Sequence, residues 1–233
     1  MKRELQGLYS IRGIVGCCHL LVDDAGCVLI DAGLIGERFQ IARIMRRLGL
    51  PPDSLRALLL THGHLDHTGN LAWAKRFSGA PVYAHALEQA HVAGAYEYHG
   101  VARWCGRLER IGRLLILYEP VSIDHFIEDG EVLPFWGGLR VVHLPGHTAG
   151  HCGFYSESRN LLFSGDMFAS YFFMVHRPPP IINSAPELFP DSYRKMRALN
   201  PELVIPGHYD FCDGSLHRRR FDRYVDYWIK KFS

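Results

Sequence analysis

The sequence predicts a single domain that mixes β-strands and α-helices, and three observations support this fold class. Short apolar runs that end at Gly or Pro recur along the chain, and such runs are typical of buried strands. Between them lie segments whose apolar residues recur at helical spacing and stop at Gly or before Pro. With 233 residues, 48% of them hydrophobic, and no Pro- or Ser-rich linker, the chain is long enough for one well-filled domain.

The helices are predicted from this spacing and from their end signals. The first two cover residues 37–48 and 68–78, and each is followed by a glycine. Two more are predicted towards the C-terminus, over residues 190–200 and 214–231. Residues 86–124 also carry aromatic and apolar side chains at mostly helical spacing, and we expect a helical lid there within the single domain of residues 1–233.

Four predicted strands are each followed directly by residues that can bind a metal ion. The strands cover residues 57–60, 139–144, 161–163 and 203–205, and the motifs after them are Thr61–His67, Pro145–Thr148, Gly165–Asp166 and Pro206–His208. Chain that leaves a sheet at its end is where catalytic groups are usually mounted. We therefore expect the four strand ends to converge on one rim.

The first of these motifs reads His-x-His-x-Asp-His, which offers four donors within six residues. Four donors so close together would strain one tetrahedral zinc ion but suit division between two neighbouring ions. A lone histidine is more often hydrogen-bonded or at the surface than a metal ligand. No metal role is therefore assigned to His85, His91, His99 or His125.

With these motifs the sequence resembles the metallo-β-lactamase-fold hydrolases, and among them the glyoxalase II and lactonase branch. The resemblance covers nearly the whole chain and includes the opening hairpin, residues 18–33, which closes with Asp31-Ala32-Gly33. It implies an α+β fold, the four-layer αβ/βα sandwich, in which two mixed β-sheets lie back to back with helices outside.

The resemblance also implies a role for each residue of the four motifs. His62, His64 and His147 would hold one metal ion, Asp66, His67 and His208 the second, and Asp166 would bridge both. The β-lactamases of the family generally have Cys or Ser in place of this bridging carboxylate, which disfavours antibiotic hydrolysis. The oxygen-reducing diiron branch usually has Glu where His64 stands, so that activity is disfavoured too.

Two divalent ions that share a water lower its pKa towards about 7, and a metal-bridging hydroxide of this kind can attack an acyl carbon. Asp66 is expected to be both ligand and proton acceptor, as in relatives. Asp31 is expected to accept a ring N–H from a ligating histidine, with a turn-forming aspartate as an almost equal alternative. The tyrosine that stabilises the carbonyl oxygen in the lactonases is replaced by Ala169, and we favour Tyr209 over Tyr171 as its substitute.

Zinc is the favoured metal because mixed imidazole and carboxylate donors suit it, but the same donors accept iron or manganese. The favoured function is hydrolysis of a small, fairly apolar acyl compound: a thioester, ester or lactone. The alternatives are a mononuclear iron persulfide dioxygenase, and a phosphodiesterase or nuclease of the same fold. A ligand sensor that binds metal without turnover is the non-enzyme alternative.

The substrate pocket is predicted from the aromatic residues Phe168, Tyr171 and Phe172, which follow the bridging Asp166. Core packing or a homodimer contact explains this segment and the 86–124 insertion about equally well. Glyoxalase II proper has a C-terminal helical domain whose basic residues bind glutathione, and too little chain follows His208 for one. Glutathione recognition is therefore not expected.

Charge and cysteine content indicate the partners and the compartment. A formal charge of +2 gives no basic field for nucleic acid. The six cysteines show no Cys-x-x-Cys pair and read as reduced thiols. With no visible targeting segment and no apolar stretch long enough to cross a bilayer, we expect a cytoplasmic protein that binds a small-molecule substrate and no membrane. A homodimer is left open.

Overall fold

The strands form two sheets in the computed structural model, which describes residues 5–171, 174–209 and 214–232. The strands are β1 (Leu8–Arg12), β2 (Cys17–Asp23), β3 (Gly26–Ile30), β4 (Leu55–Leu59), β5 (Val82–Ala84), β6 (His125–Phe126), β7 (Val132–Leu133), β8 (Leu139–His143), β9 (Cys152–Ser156), β10 (Leu161–Tyr171), β11 (Met174–His176) and β12 (Leu203–Tyr209). The helices are α1 (Glu37–Arg47), α2 (Leu65–Thr68), α3 (Leu71–Ser78), α4 (Gln89–Val92), α5 (Arg103–Leu115), α6 (Phe189–Leu199) and α7 (Gly214–Phe232).

Both sheets are mixed. The first has the order β1-β2-β3-β4-β5-β6, with antiparallel pairing from β1 to β3 and parallel pairing from β3 to β6. Parallel neighbours need crossover connections, and the segments that contain α1 and α3 supply two of them. The second sheet runs β7-β8-β9-β10-β11 in antiparallel pairs, and β12 joins β10 in parallel.

Three clusters of buried side chains define the layers. The largest joins the facing sides of the two sheets and includes Trp136, Phe154 and Phe163. A second cluster packs α1 and α3 on the outer face of the first sheet, and a third packs α6 and α7 on the outer face of the second. The layers are therefore helix, sheet, sheet and helix, and the α+β four-layer sandwich expected from the sequence is confirmed.

The helices agree with the sequence except at one break. The helix predicted over residues 68–78 is two helices, α2 and α3, because the chain turns at Gly69 and Asn70. Asn70 donates its side-chain amide to the Ala32 carbonyl, and a Cβ at Gly69 would lie 2.6 Å from the Leu34 carbonyl oxygen. Contact with the loop after β3 thus interrupts the helix. In the described ranges, no helix has both the length and the apolar character needed to cross a membrane.

Two strands are longer than their apolar runs. β10 and β12 continue past residues 163 and 205, so Asp166 and His208 lie within strands and not after them. The parallel pairing of the two strands continues through register shifts at Gly165, whose φ of +50° a larger residue rarely adopts. The prediction from apolar character alone therefore ended both strands too early.

Candidate metal centre

The first motif, Thr61–His67, leaves β4 and turns directly into α2. Its extended part ends at His64, the residue that precedes the helix, and its last two candidate ligands lie in the helix. Gly63 passes so close to α4 that a Cβ there would lie 2.4 Å from the Cβ of His91. Glycine at this position therefore allows the histidines on either side to be buried.

The other candidate ligands come from the second sheet. His147 lies in the loop after β8, whereas Asp166 and His208 lie on the paired strands β10 and β12. A Cβ at Gly207 would lie 2.3 Å from Oδ1 of Asp166. The missing side chain at position 207 thus leaves the space that the Asp166 carboxylate occupies.

The structure brings the seven predicted ligands together as two groups joined by one carboxylate. The groups are His62, His64 and His147, and Asp66, His67 and His208; within each group the candidate ligand atoms lie within 4.8 Å of one another. Oδ2 of Asp166 lies 2.9 Å from Nε2 of His208 and 3.6 Å from Nε2 of His147. Asp166 therefore reaches both groups, which is the position a bridging ligand needs.

Buried nitrogen atoms without hydrogen-bond partners indicate what the cluster can hold. Nε2 of His62, His64 and His147 makes no hydrogen bond with any residue that the structure describes, and all three atoms are inaccessible to solvent. A buried polar atom without a partner costs free energy, and buried polar atoms are nearly always satisfied. Three such nitrogens from one group fit a divalent cation that accepts imidazole ligands.

Burial keeps this group neutral. It lowers the pKa of His64 to about 4 and that of His147 to about 3, and it holds the pKa of His62 well below the usual value. Neutral imidazole is the form that binds a metal ion. The three nitrogens are therefore in the state in which they act as ligands at neutral pH.

The second group favours positive charge. Burial opposes the charged form of His67, but the carboxylates of Asp166 and Asp66 outweigh burial and raise its pKa well above the usual value. For Asp166, burial is likewise outweighed, by His208 and His67, and its pKa lies well below the usual range. Ionised carboxylates at this depth stabilise a cation, as a metal site with oxygen ligands requires.

Hydrogen bonds at Nδ1 orient three of the rings. The acceptors are Oδ2 of Asp31 for His67, Oδ1 of Asn183 for His147 and the carbonyl of Val15 for His208, each at 2.9 Å. In the neutral form that binds a metal ion, a ring that donates from Nδ1 carries its lone pair on Nε2, so all three rings can offer Nε2 to a cation in the cluster. Asp31 also accepts from the backbone N–H and the hydroxyl of Thr61, at 2.9 and 2.8 Å.

Glu88 is a contributor that sequence analysis missed. This fully buried carboxylate accepts from the backbone N–H of Gly63 at 2.7 Å and of Gly150 at 2.9 Å, and from the Thr148 hydroxyl at 2.7 Å. It thereby connects the first motif with the loop that carries His147. No sequence signal marks it, because its partners lie 25 to 62 residues away.

His151 and Asn183 were also missed. The buried ring of His151 accepts the backbone N–H of Asp166 through Nε2 at 3.0 Å. Asn183 donates its amide to the carbonyls of Pro178 and Pro179, at 3.0 and 3.1 Å, and so turns its oxygen towards His147. The spacing His147-x-x-x-His151 was visible in the sequence, whereas nothing distinguished Asn183.

Two residues with predicted roles lie in the core. Phe168 is fully buried, with its ring 5.3 Å from that of Phe221 in the layer under α7. Tyr209 belongs to the cluster between the sheets, and its ring stacks with that of His19. Neighbouring residues of a strand point to opposite faces, so Tyr209 points away from the side of His208. These placements give no support to a pocket role for Phe168 or a catalytic role for Tyr209.

Tyr171 is placed differently. Its hydroxyl donates to the carbonyl of Val15 at 3.2 Å, and the same carbonyl accepts from His208. Tyr171 therefore borders the metal cluster, where a residue of the substrate pocket would be expected. Phe172, the third predicted pocket residue, lies outside the described residues.

The predicted lid region contains α5, which packs against the first motif. Glu109 of α5 accepts the backbone N–H of Leu65 at 2.9 Å and the hydroxyl of Tyr98 at 2.8 Å. A Cβ at Gly112 would lie 2.7 Å from a methyl group of Leu65. The insertion thus contacts the start of α2, next to the candidate ligands. Whether it acts as a lid remains a prediction.

Comparison with known proteins identifies the family. The chain matches the model of the Metallo-beta-lactamase superfamily over residues 13–208. It is 30% identical to the probable metallo-hydrolase YflN of Bacillus subtilis (strain 168) over 198 residues. This aligned region covers 78% of this chain and 74% of YflN. It is 30% identical over 158 residues to the hydroxyacylglutathione hydrolase GloC of Haemophilus influenzae, covering 64% of this chain and 65% of GloC.

Solved structures show the same architecture. The metallo-beta-lactamase family protein TTHA1429 from Thermus thermophilus superimposes with a TM-score of 0.75 at 24% identity, over 96% of this chain and 80% of that one. The structure of TTHA1623 in a di-iron-bound form superimposes with a TM-score of 0.67 at 27% identity, over 91% of this chain and 97% of that one.

Proposed function

Because the chain belongs to the metallo-beta-lactamase superfamily, we propose that it is a hydrolase with two metal ions that cleaves a small, fairly apolar acyl compound: a thioester, ester or lactone. The observation that carries the proposal is the pair of ligand groups joined by Asp166. When bound, two divalent ions supply a nucleophile from water at neutral pH and draw negative charge from the carbonyl oxygen.

Asp66 is proposed as the residue that moves the proton. Its side chain is 24% exposed, whereas that of Asp166 is 6% exposed, so Asp66 can exchange protons with solvent. Its Oδ2 lies 3.3 Å from Nε2 of His208 and 3.7 Å from Nε2 of His67. We expect Asp66 to accept a proton from the attacking water and to pass it to the leaving group.

Of the predicted pocket residues that the structure describes, Tyr171 remains a candidate, because its hydroxyl borders the cluster and its side chain is half-buried. An aromatic ring beside the metal ions offers apolar contact to an acyl chain. This supports a substrate with an apolar acyl part, and it leaves the identity of the leaving group to experiment.

The relatives favour a thioester among the three bonds. GloC is named a hydroxyacylglutathione hydrolase, and its 30% identity extends over 158 residues, 64% of this chain. For the metals, we propose zinc first, because imidazole and carboxylate donors suit it. Iron is the second candidate, because the similar TTHA1623 was solved in a di-iron-bound form.

The test combines metal analysis with a substrate panel. We expect about two metal ions per chain in protein purified without added metal. Turnover should be faster with thioesters, esters or lactones than with bis-p-nitrophenyl phosphate. Oxygen uptake on a persulfide with one iron per chain would instead establish a dioxygenase, and faster phosphodiester cleavage a phosphodiesterase. Bound metal without turnover of any panel member would indicate a sensor.

The role of the bridging carboxylate is tested with Asp166→Ala. We expect this variant to lose at least one metal ion and more than about 100-fold in kcat/KM, the upper end of the loss when a group that only orients a ligand is removed. The matched control is Asp191→Ala, because the Asp191 side chain is 85% exposed and lies on α6. Unchanged metal content and turnover in Asp166→Ala would refute the dinuclear assignment.

A further inference from the structure

Helix α5 presents an apolar face to solvent. Trp104, Leu108, Ile111 and Leu115 follow one another at spacings of three and four residues, and each is 57–77% exposed. Val101, Leu114 and Leu117 lie beside them and are also exposed. An amphipathic helix normally turns its apolar stripe towards the core, and an exposed patch of this size marks an interaction surface. We call these seven residues the α5 face.

The opposite side of α5 fixes the helix in place. Cys105 is buried, and the Glu109 carboxylate is held by Leu65 and Tyr98. Arg113 donates to the carbonyl of His91 at 3.0 Å. The side towards the protein therefore uses polar contacts, and these contacts hold the α5 face outward.

On helix α5 itself, the exposed charges have one sign. Arg103, Arg107 and Arg110 are all exposed, and the guanidinium of Arg107 lies 4.8 Å from the ring centroid of Trp104. The single acidic residue of the helix, Glu109, points inward. A helix with an apolar stripe, arginines along its edges and no exposed carboxylate of its own has the composition of helices that lie in a membrane interface. Glu119, an exposed carboxylate beyond the end of the helix, is paired with Arg76.

A second copy of the chain fits the α5 face less well than an anionic bilayer does. In a two-fold pair the same surface meets itself, so the arginines of each copy would approach a helix with no exposed carboxylate. An anionic bilayer offers phosphates to the arginines and hydrocarbon to the apolar stripe. The helix has 13 residues and is about 20 Å long, so it would lie in the plane of the interface.

We propose that the α5 face docks on the surface of an anionic phospholipid bilayer. Docking at this surface is independent of the proposed function, because no residue of the α5 face belongs to the metal cluster. The proposal departs from the expectation, drawn from the sequence, that the protein binds no membrane. That expectation was based on the lack of a segment long enough to cross a bilayer, whereas this helix would lie on its surface. Docking would hold the metal cluster near the bilayer surface, because the inner side of α5 contacts Leu65 of the first motif.

A second exposed apolar side chain lies in a loop beside the metal cluster. Ile14 is 77% exposed, and the carbonyl of the next residue, Val15, accepts from His208. The loop that carries Ile14 therefore borders the metal cluster at His208, as α5 borders it at Leu65.

The test measures binding of the full-length, metal-loaded protein to vesicles by co-sedimentation. We expect binding to vesicles of equal parts phosphatidylcholine and phosphatidylglycerol, and much weaker binding to phosphatidylcholine alone. Leu108→Ser combined with Leu115→Ser should weaken partitioning by about tenfold or more. The control is Val132→Ser, which removes an exposed apolar side chain from β7.

The charge contribution is tested separately. Arg107→Gln combined with Arg110→Gln should reduce the preference for anionic vesicles, whereas Arg47→Gln at the end of α1 should not. All these residues are exposed, so the variants should keep the melting temperature of the wild type. Equal binding of wild type and the double leucine variant would overturn the proposal. A dimer in light scattering that the leucine variant dissociates would overturn it too, in favour of self-association.

Discussion

Asp31 links the turn before the first motif to one of the candidate ligands. Its carboxylate accepts from Nδ1 of His67 and from the backbone and hydroxyl of Thr61. It takes a positive φ of 57°, which Asp tolerates better than most residues. The sequence suggested an orienting role with a turn-forming role as the alternative, and Asp31 lies where it can fill both.

Asp31→Asn separates these two roles. The amide keeps the shape of the side chain but removes the charge that increases the basicity of His67, so we expect metal affinity to fall by about 10- to 100-fold. Competition with a chromophoric chelator measures this affinity. Asp191→Asn is the control, because the Asp191 side chain on α6 is 85% exposed. Unchanged affinity in Asp31→Asn would show that Asp31 only forms the turn.

Glu88 makes the stability of the fold depend on pH. Burial raises its pKa from 4.5 to about 7, although the hydrogen bonds from Thr148, Gly63 and Gly150 act in the opposite direction. Because the folded chain favours the protonated acid, its contribution to stability is complete below the pKa of the unfolded chain. That contribution is lost as the pH rises through the pKa of the folded chain.

We therefore expect wild type to lose stability relative to Glu88→Gln as the pH rises from 4.5 to about 7, since Gln does not ionise. The relative loss in the free energy of unfolding should be about 3 kcal/mol, from the size of the pKa shift. Urea denaturation across this range measures it, with the exposed Glu187→Gln as control. If the difference in the free energy of unfolding between wild type and Glu88→Gln stayed constant with pH, this would show that Glu88 does not titrate in this range.

At the scale of elements, the pairing of β10 with β12 decides where two ligands lie. Apolar runs predicted the start of both strands, but not their continuation through Asp166 and His208. Polar residues inside these strands are stabilised by the cluster itself, and hydropathy does not report such contacts. The approach of the two strands depends on Gly207, where a side chain would meet the Asp166 carboxylate.

Gly207→Ala should displace that carboxylate, because the added Cβ would lie 2.3 Å from Oδ1. We expect metal content and turnover to fall, with a loss of stability of about 1–3 kcal/mol from the crowding. Elemental analysis and thermal denaturation measure these effects. Gly36→Ala is the control, because no atom lies within 4 Å of a Cβ built there and its φ is −79°.

The orientation of α5 is a further property that its sequence did not determine. Helical spacing predicted a helix within residues 86–124, and the structure has one at Arg103–Leu115. The same spacing would normally identify the apolar stripe as the buried face. Here polar contacts of Glu109 and close packing at Gly106 and Gly112 bury the other face.

At the scale of the whole molecule, the metal cluster joins the two halves of the sandwich. The first motif follows β4 of the first sheet, whereas Asp166 and His208 belong to the second sheet. Each sheet supplies part of each ligand group. Bound metal ions would therefore link the two sheets and stabilise the folded state over the unfolded chain.

Removal of metal should consequently lower the melting temperature. At a free metal concentration of about 100 times Kd, binding stabilises the fold by about 2.7 kcal/mol, which corresponds to several degrees in a domain of this size. Scanning calorimetry with and without chelator measures the difference, and added zinc should restore it. Asp166→Ala should show a smaller effect of the chelator. Equal melting temperatures with chelator, without chelator and after addition of zinc would show that metal does not link the sheets.

The fold class and the set of candidate ligands could be predicted from the sequence, because these depend on residue type and on short spacings such as His-x-His-x-Asp-His. The groups that orient the ligands and the exposed face of α5 became evident only in the folded chain. Glu88 meets Thr148 across 60 residues, and His147 meets Asn183 across 36. Contacts over such distances arise from the packing of sheets and loops, and no local pattern encodes them.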